Sequence, residues 1–159
     1  VRVKQKVVKM KLSRIKKNNH IDFYTADGGS TLELPYAKNI SAGFPSPADD
    51  YMDMSLDLNK ELIRNPNATF YGRVKGNSMQ NIGILDGDVL VIDRSLDPTN
   101  DAIAVCFIDG DFTVKRVHVE GDTCYLIPEN EDYEPIPVGE DNDFMIWGIV
   151  TYVIKKMKK

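Results

Sequence analysis

A mainly β, barrel-like domain with one short helix and an extended N-terminal arm is expected from three features of the sequence. Short β-branched and aromatic runs follow one another from Ala68 onward. Glycine-containing pairs separate several of them, and one stretch alone carries a helical pattern. At 159 residues, 42% hydrophobic and 28% charged, the chain suits one core rather than two.

The first 17 residues alternate loosely between apolar and basic types without settling on one period, as a weak strand or an arm ordered on contact would. Asp27, Gly28, Gly29 and Ser30 form a turn signal, and Thr31 to Leu34 follows as a short strand ended by Pro35. In Ser41-Ala42-Gly43-Phe44-Pro45-Ser46-Pro47-Ala48, two prolines hold the residues before them extended. A non-helical linker able to enter a groove as a strand is the result. Asp57 to Arg64 reads as the one helix, capped by Ser55 or Asp57, with Leu58, Leu62 and Ile63 on one side and Pro66 beyond its end. Strands are expected at Thr69 to Lys75, Asp88 to Asp93, Ala102 to Ile108, Phe112 to Val119, Thr123 to Ile127 and Phe144 to Ile154. Asp109-Gly110 and Gly121-Asp122 stand between consecutive runs as hairpin turns.

Charge is divided unevenly. Residues 1 to 42 hold nine Lys/Arg against three Asp/Glu, about +6, whereas the rest carries about −10, for a total of −4. A basic arm on an acidic body can contact nucleic acid directly or lie on its own body. No run is long and apolar enough to span a membrane, and the start lacks a signal-peptide pattern, which together predict a soluble, cytoplasmic protein without membrane contact. The two cysteines, Cys106 and Cys124, sit in apolar runs as buried free thiols. Neither a metal site nor a cofactor is expected.

The two histidines, His20 and His118, form no Ser/His/Asp pattern, and His118 reads as a strand surface residue. A serine nucleophile without histidine needs another base, and a lysine serves if burial lowers its pKa toward neutrality. Lys115, within Phe112-Thr113-Val114-Lys115-Arg116-Val117, shares a strand face with Thr113 and Val117 and is the lysine in the most apolar surroundings. Ser78 follows Val74-Lys75-Gly76-Asn77, where a strand gives way to a turn that can present the hydroxyl together with the backbone N–H groups of Asn77 and Ser78 as an oxyanion hole. A strand lysine is ordinarily an edge residue with its stem along the surface, and a serine after Gly-x ordinarily closes a turn. Neither residue carries a catalytic reading alone.

Taken together the motifs resemble the LexA/UmuD self-cleaving peptidases. Gly76-Asn77-Ser78-Met79 followed by Gly83 to Asp93 is similar to their nucleophile segment, and Asp109 to Arg116 to their lysine segment, with the UmuD spacing between serine and lysine. Ile127 to Asn130 with Tyr133 to Ile136 resembles their later strand pair, and Ala42 to Tyr51 the UmuD cleavage segment. The resemblance covers roughly residues 31 to 157. It implies Ser78 as nucleophile, Lys115 as base and Ala42–Gly43 as the severed bond, which divides the chain into a releasable arm, 1–42, and a peptidase domain, 43–159. It also implies a homodimer, stimulation by a RecA filament on single-stranded DNA, and service to a UmuC-like Y-family DNA polymerase in SOS damage tolerance. Two departures stand out: Ala42 occupies the position where the UmuD pattern has cysteine, and the arm is longer than that of UmuD.

A transcriptional repressor of the LexA or phage kind would share the peptidase domain but needs a helix-turn-helix ahead of the cleavage site. Residues 1 to 42 show β-like runs and a double-glycine turn instead. A signal peptidase would need a membrane anchor, and a purely binding β module would not need the serine and lysine.

Overall fold

The computed structural model describes residues 21–25, 33–36 and 54–158. The expectations for residues 1–17, for the turn at Asp27 to Ser30 and for the linker around Ala42 and Gly43 lie outside the described residues, as does His20.

Among the described residues, ten strands and one short helix follow in the order β1 (Ile21–Thr25), β2 (Glu33–Tyr36), β3 (Met54–Asp57), α1 (Leu58–Leu62), β4 (Thr69–Val74), β5 (Val89–Asp93), β6 (Ala102–Ile108), β7 (Asp111–Glu120), β8 (Thr123–Ile127), β9 (Ile136–Val138) and β10 (Phe144–Ile154). Eight of them form one antiparallel sheet ordered β1, β4, β5, β10, β6, β7, β8, β9, while β2 and β3 pair separately. The expected mainly β architecture holds.

Turn chemistry sets the registers around the site. Asp109 and Gly110 both take positive φ, 49° and 97°, as a two-residue type I′ hairpin requires, and they bring Ile108 opposite Asp111. Gly121, at φ 60°, is the only positive-φ residue of the next turn, which sets Glu120 opposite Thr123. From these hairpins follows the register that places Lys115 opposite Ala104.

Two apolar clusters lie on opposite faces of β6 and β7. Val105 and Val114 join Leu90, Ile92 and Trp147 in the larger one. Phe23, Phe70 and Phe112 surround the Trp147 ring at 4.7, 5.1 and 5.9 Å. Ala104, Cys106, Val117 and Leu126 form the smaller one. Because β6 and β7 are buried on both sides, a lysine in the middle of β7 cannot reach open water as it would on a half-exposed strand.

Several expectations need correction. The helix spans Leu58–Leu62 rather than Asp57 to Arg64 and buries none of its own side chains; Leu58 is exposed. Asp57 caps it by accepting the Asn59 N–H at 2.9 Å, and Ile63, just past its end, is extended and buried. The chain leaves the helix early because Ile63 gains more from the core than from another turn. The strand expected to stop at Pro35 runs through it to Tyr36. Its only ladder neighbour among the described residues is β3, so one open side accommodates the missing proline N–H. Cys106 is buried, but Cys124 is only half-buried; both are free.

Candidate functional site: a serine and a lysine in one cleft

The connection from β4 to β5 is closed at its neck, where the Val74 N–H donates to Asp88 O and the Gly87 N–H to Val74 O, both at 2.9 Å. Inside the neck, Gly76 sits at φ 91°, a conformation that only glycine adopts without strain. Its N–H donates to Asp86 Oδ1 at 2.7 Å. Met79 then plunges into the larger core cluster, 2% exposed, and a 3-10 turn over Gln80–Ile82 follows. Between this glycine and the buried methionine, Ser78 is held at the surface of a cleft of about 320 Å³. The cleft walls are apolar at Val74, Met79, Ile108, Val114 and Ile136.

Lys115 reaches the same cleft from β7. The structure brings its Nζ to 3.1 Å from Ser78 Oγ, although the two residues are 37 positions apart in sequence. Nζ also lies 2.7 Å from Thr113 Oγ1 and 2.9 Å from Val114 O. All three neighbours are uncharged oxygens. Only 6% of the residue is exposed, and burial lowers its pKa from 10.5 to about 8 against a smaller upward pull from Cys106. Burial likewise pushes the Cys106 thiol up to about 12.

A third segment, between β8 and β9, holds the serine turn from behind. The Glu129 N–H donates to Ser78 O at 2.8 Å, and the Asn81 N–H donates to Glu129 O at 2.9 Å. Asn130 Nδ2 donates to Asn77 O at 2.9 Å, and the Tyr133 hydroxyl donates to Asn77 Oδ1 at 2.8 Å. Glu129 pairs with Arg116, the neighbour of Lys115 on β7. Among the described residues no acceptor takes the backbone N–H of Asn77 or Ser78.

Thus Ser78, Lys115 and the Asn77–Ser78 backbone converge, whereas Ala42 and Gly43 lie outside the described residues. His118 is partly exposed on β7, with Nδ1 2.7 Å from Asp101 Oδ1, and does not line the cleft. The later strand pair is displaced from its expected position: β8 ends at Ile127 and pairs with Ile136–Val138, leaving residues 128–135 as the loop that grips Asn77 and Ser78. Sequence reasoning noted that Thr113 shares a face with Lys115 but not that it binds Nζ. It missed the grip of Asn130 and Tyr133 altogether, since neither position has a local pattern that announces it. Among the described residues no cluster of three or more His, Cys, Asp or Glu is placed to hold a metal, and no helix is long and apolar enough to cross a membrane.

Residues 35–151 match the Peptidase S24-like family. Protein MucA of Salmonella typhimurium is 42% identical over 135 residues, covering 83% of this chain and 92% of its own length. Protein ImpA of Shigella flexneri is 40% identical over 124 residues, covering 78% and 84%. Protein SamA of Salmonella typhimurium is 40% identical over 129 residues, covering 81% and 89%.

Proposed function

The chain belongs to the Peptidase S24-like family, and from that premise we propose that it is a self-cleaving serine endopeptidase cutting its own Ala42–Gly43 bond. Ser78 is the nucleophile and Lys115 the general base. The observation that carries the proposal is the 3.1 Å approach of Nζ to Oγ in a site where, among the described residues, no carboxylate hydrogen-bonds to the amine. A neutral amine has two N–H donors and one lone pair. With Thr113 Oγ1 and Val114 O taking the donors, the lone pair is left for the Ser78 hydroxyl.

In the first step Lys115 takes the hydroxyl proton as Oγ bonds to the Ala42 carbonyl carbon, and the negative charge moves to the carbonyl oxygen. The N–H groups of Asn77 and Ser78 stabilise that oxyanion. As the carbonyl reforms, the C–N bond breaks and the Lys115 ammonium returns its proton to the departing Gly43 nitrogen. Water then attacks the acyl-serine, giving one proton to Lys115; the C–Oγ bond breaks as the ammonium returns that proton to Ser78 Oγ, and residues 1–42 leave with a new carboxylate.

Tethering supplies the substrate at an effective concentration on the order of millimolar, so a slow intrinsic reaction can still go to completion. A partner that stabilises the inserted segment accelerates cleavage by population shift, without contributing a catalytic group. The resemblance to the LexA/UmuD peptidases supports a RecA filament on single-stranded DNA as that partner. It also supports a homodimer serving a UmuC-like Y-family polymerase in the SOS response. Removing the basic arm takes the formal charge from −4 to about −10, which changes the surface offered to such partners.

Intact-mass analysis with and without activated filament tests the proposal: a fragment beginning at Gly43 is expected, and Ser78→Ala and Lys115→Ala should each leave the folded chain whole. Without filament the rate should rise roughly tenfold between about pH 7 and about pH 9, because the base works only when neutral and its pKa is lowered to about 8. A flat profile, or cutting that persists in either variant, rejects the mechanism.

A further inference from the structure

The loop between β8 and β9 does more than cover the serine turn. Asn130 is 5% exposed and uses both ends of its amide: Nδ2 donates to Asn77 O at 2.9 Å, and Oδ1 accepts the Asp132 N–H at 3.0 Å. The second bond fixes which end of the amide faces the turn. Asn77 and Ser78 line the cleft, whereas Asn130 does not. The carbonyl of Asn77 is therefore held by a residue that is not part of the cleft lining.

In a planar trans peptide the C=O of one residue and the N–H of the next point in opposite directions. Pulling the Asn77 oxygen toward Asn130 consequently turns the Ser78 N–H toward the cleft. The Gln80 N–H, which also donates to Asn77 O, does so at a longer 3.2 Å. Tyr133 holds the Asn77 side chain, not its carbonyl. Glu129 sets the next peptide in the same manner through Ser78 O and is itself paired with Arg116 beside Lys115.

We propose, resting on the serine/lysine mechanism above, that Asn130 is a positioning residue that aims the Ser78 N–H at the oxyanion formed during cleavage. It touches neither substrate nor nucleophile oxygen. Its contribution appears only when negative charge develops on the carbonyl, so it stabilises the tetrahedral state without strengthening the binding of the uncut segment.

The test uses the full-length chain and three substitutions. Asn130→Leu removes the amide at similar volume. Asn130→Ser keeps an oxygen able to accept the Asp132 N–H, and so the local turn, but is too short to reach Asn77 O. Tyr133→Phe releases only the Asn77 side chain. Self-cleavage should fall roughly 30- to 100-fold in both Asn130 variants and less than about threefold in Tyr133→Phe. A peptide of residues 38–42 ending in a boronic acid, which forms a tetrahedral anion on a serine oxygen, should lose affinity for the Asn130 variants by a similar factor. The same peptide with an ordinary amide end should bind all proteins alike. Unchanged cleavage in Asn130→Ser, or a parallel loss of both peptides, overturns the assignment. If the unsubstituted chain neither cleaves itself nor captures the boronate, the peptidase mechanism itself fails. If it does both and the Asn130 variants match it, only the role of Asn130 is lost.

Discussion

Two lysines line the same cleft and meet opposite surroundings. Lys75, just past the end of β4, has a side chain 37% exposed and holds Asp22 Oδ1 at 2.7 Å. Lys115, in the middle of β7, is almost entirely buried and faces a serine hydroxyl, a threonine hydroxyl and a backbone carbonyl. A carboxylate and water stabilise an ammonium, while buried hydrocarbon and uncharged oxygens do so poorly. On the proposed mechanism, proximity to Ser78 is thus only half of what would make a lysine the base, and surroundings without a counter-charge among the described residues are the other half. The dryness costs stability. A folded-state pKa lowered from 10.5 to about 8 corresponds to a penalty on the order of 3 kcal/mol. It is fully present below about pH 8 and is relieved as pH rises toward about 10.5, because the unfolded chain binds the extra proton over that interval.

The sharpest way to break the contrast is Lys115→Arg. A guanidinium keeps its proton throughout the accessible pH range, so the site would retain a cation of similar reach without a base. Self-cleavage should fall by roughly 10³ or more at every pH up to about 9, read as intact mass over time. Cleavage within about tenfold of the unsubstituted chain would mean that positive charge, and not proton abstraction, is what the position supplies.

A smaller effect is expected from giving Lys115 the partner that Lys75 already has. Thr113 Oγ1 lies 2.7 Å from Nζ, so Thr113→Asp sets a carboxylate where a hydroxyl was. An adjacent opposite charge favours the ammonium and raises its pKa by about one to two units. The midpoint of the pH–rate profile should climb by that amount, and the rate near pH 7.5 should drop roughly tenfold, with recovery at higher pH. A midpoint that stays near 8 would show that the titration belongs to another group.

What could be read from the sequence divides along the same line. The strand around Lys115 is β-branched and aromatic over several residues, and the turn before Ser78 is marked by Gly76, so both sites announce themselves locally. All six strands expected after Ala68 keep their bounds to within a residue, the long strand of Lys115 extending one residue past its expected ends on each side. By contrast β1 is only five residues long, and what fixes it is pairing with β4 across a gap of more than 40 residues and burial of Ile21 in the core. Asn130 is equally silent. It follows Pro128-Glu129 in a segment that local chemistry marks only as a turn, and its role depends on the carbonyl of Asn77, 53 positions away. Even the helix shows the pattern: Leu58 and Ile63 look like one apolar face, yet the tertiary pull on Ile63 ends the helix before that face forms.

The smallest effect should come from the other member of the pair. Lys75→Gln removes a positive charge from the cleft wall but leaves the buried surroundings of Lys115 intact. Lys75 is more than one third exposed and its charge is balanced by Asp22, so its field at Nζ of Lys115 is screened by solvent and counter-charge together. Self-cleavage should change less than about twofold, and unfolding in urea by about 0.5 kcal/mol or less. Loss of an exposed ion pair costs little where water can solvate Asp22 in its place. If Lys75→Gln abolished cutting while Lys115→Arg left it running, the exposed lysine would be the base, and burial would have no part in selecting it.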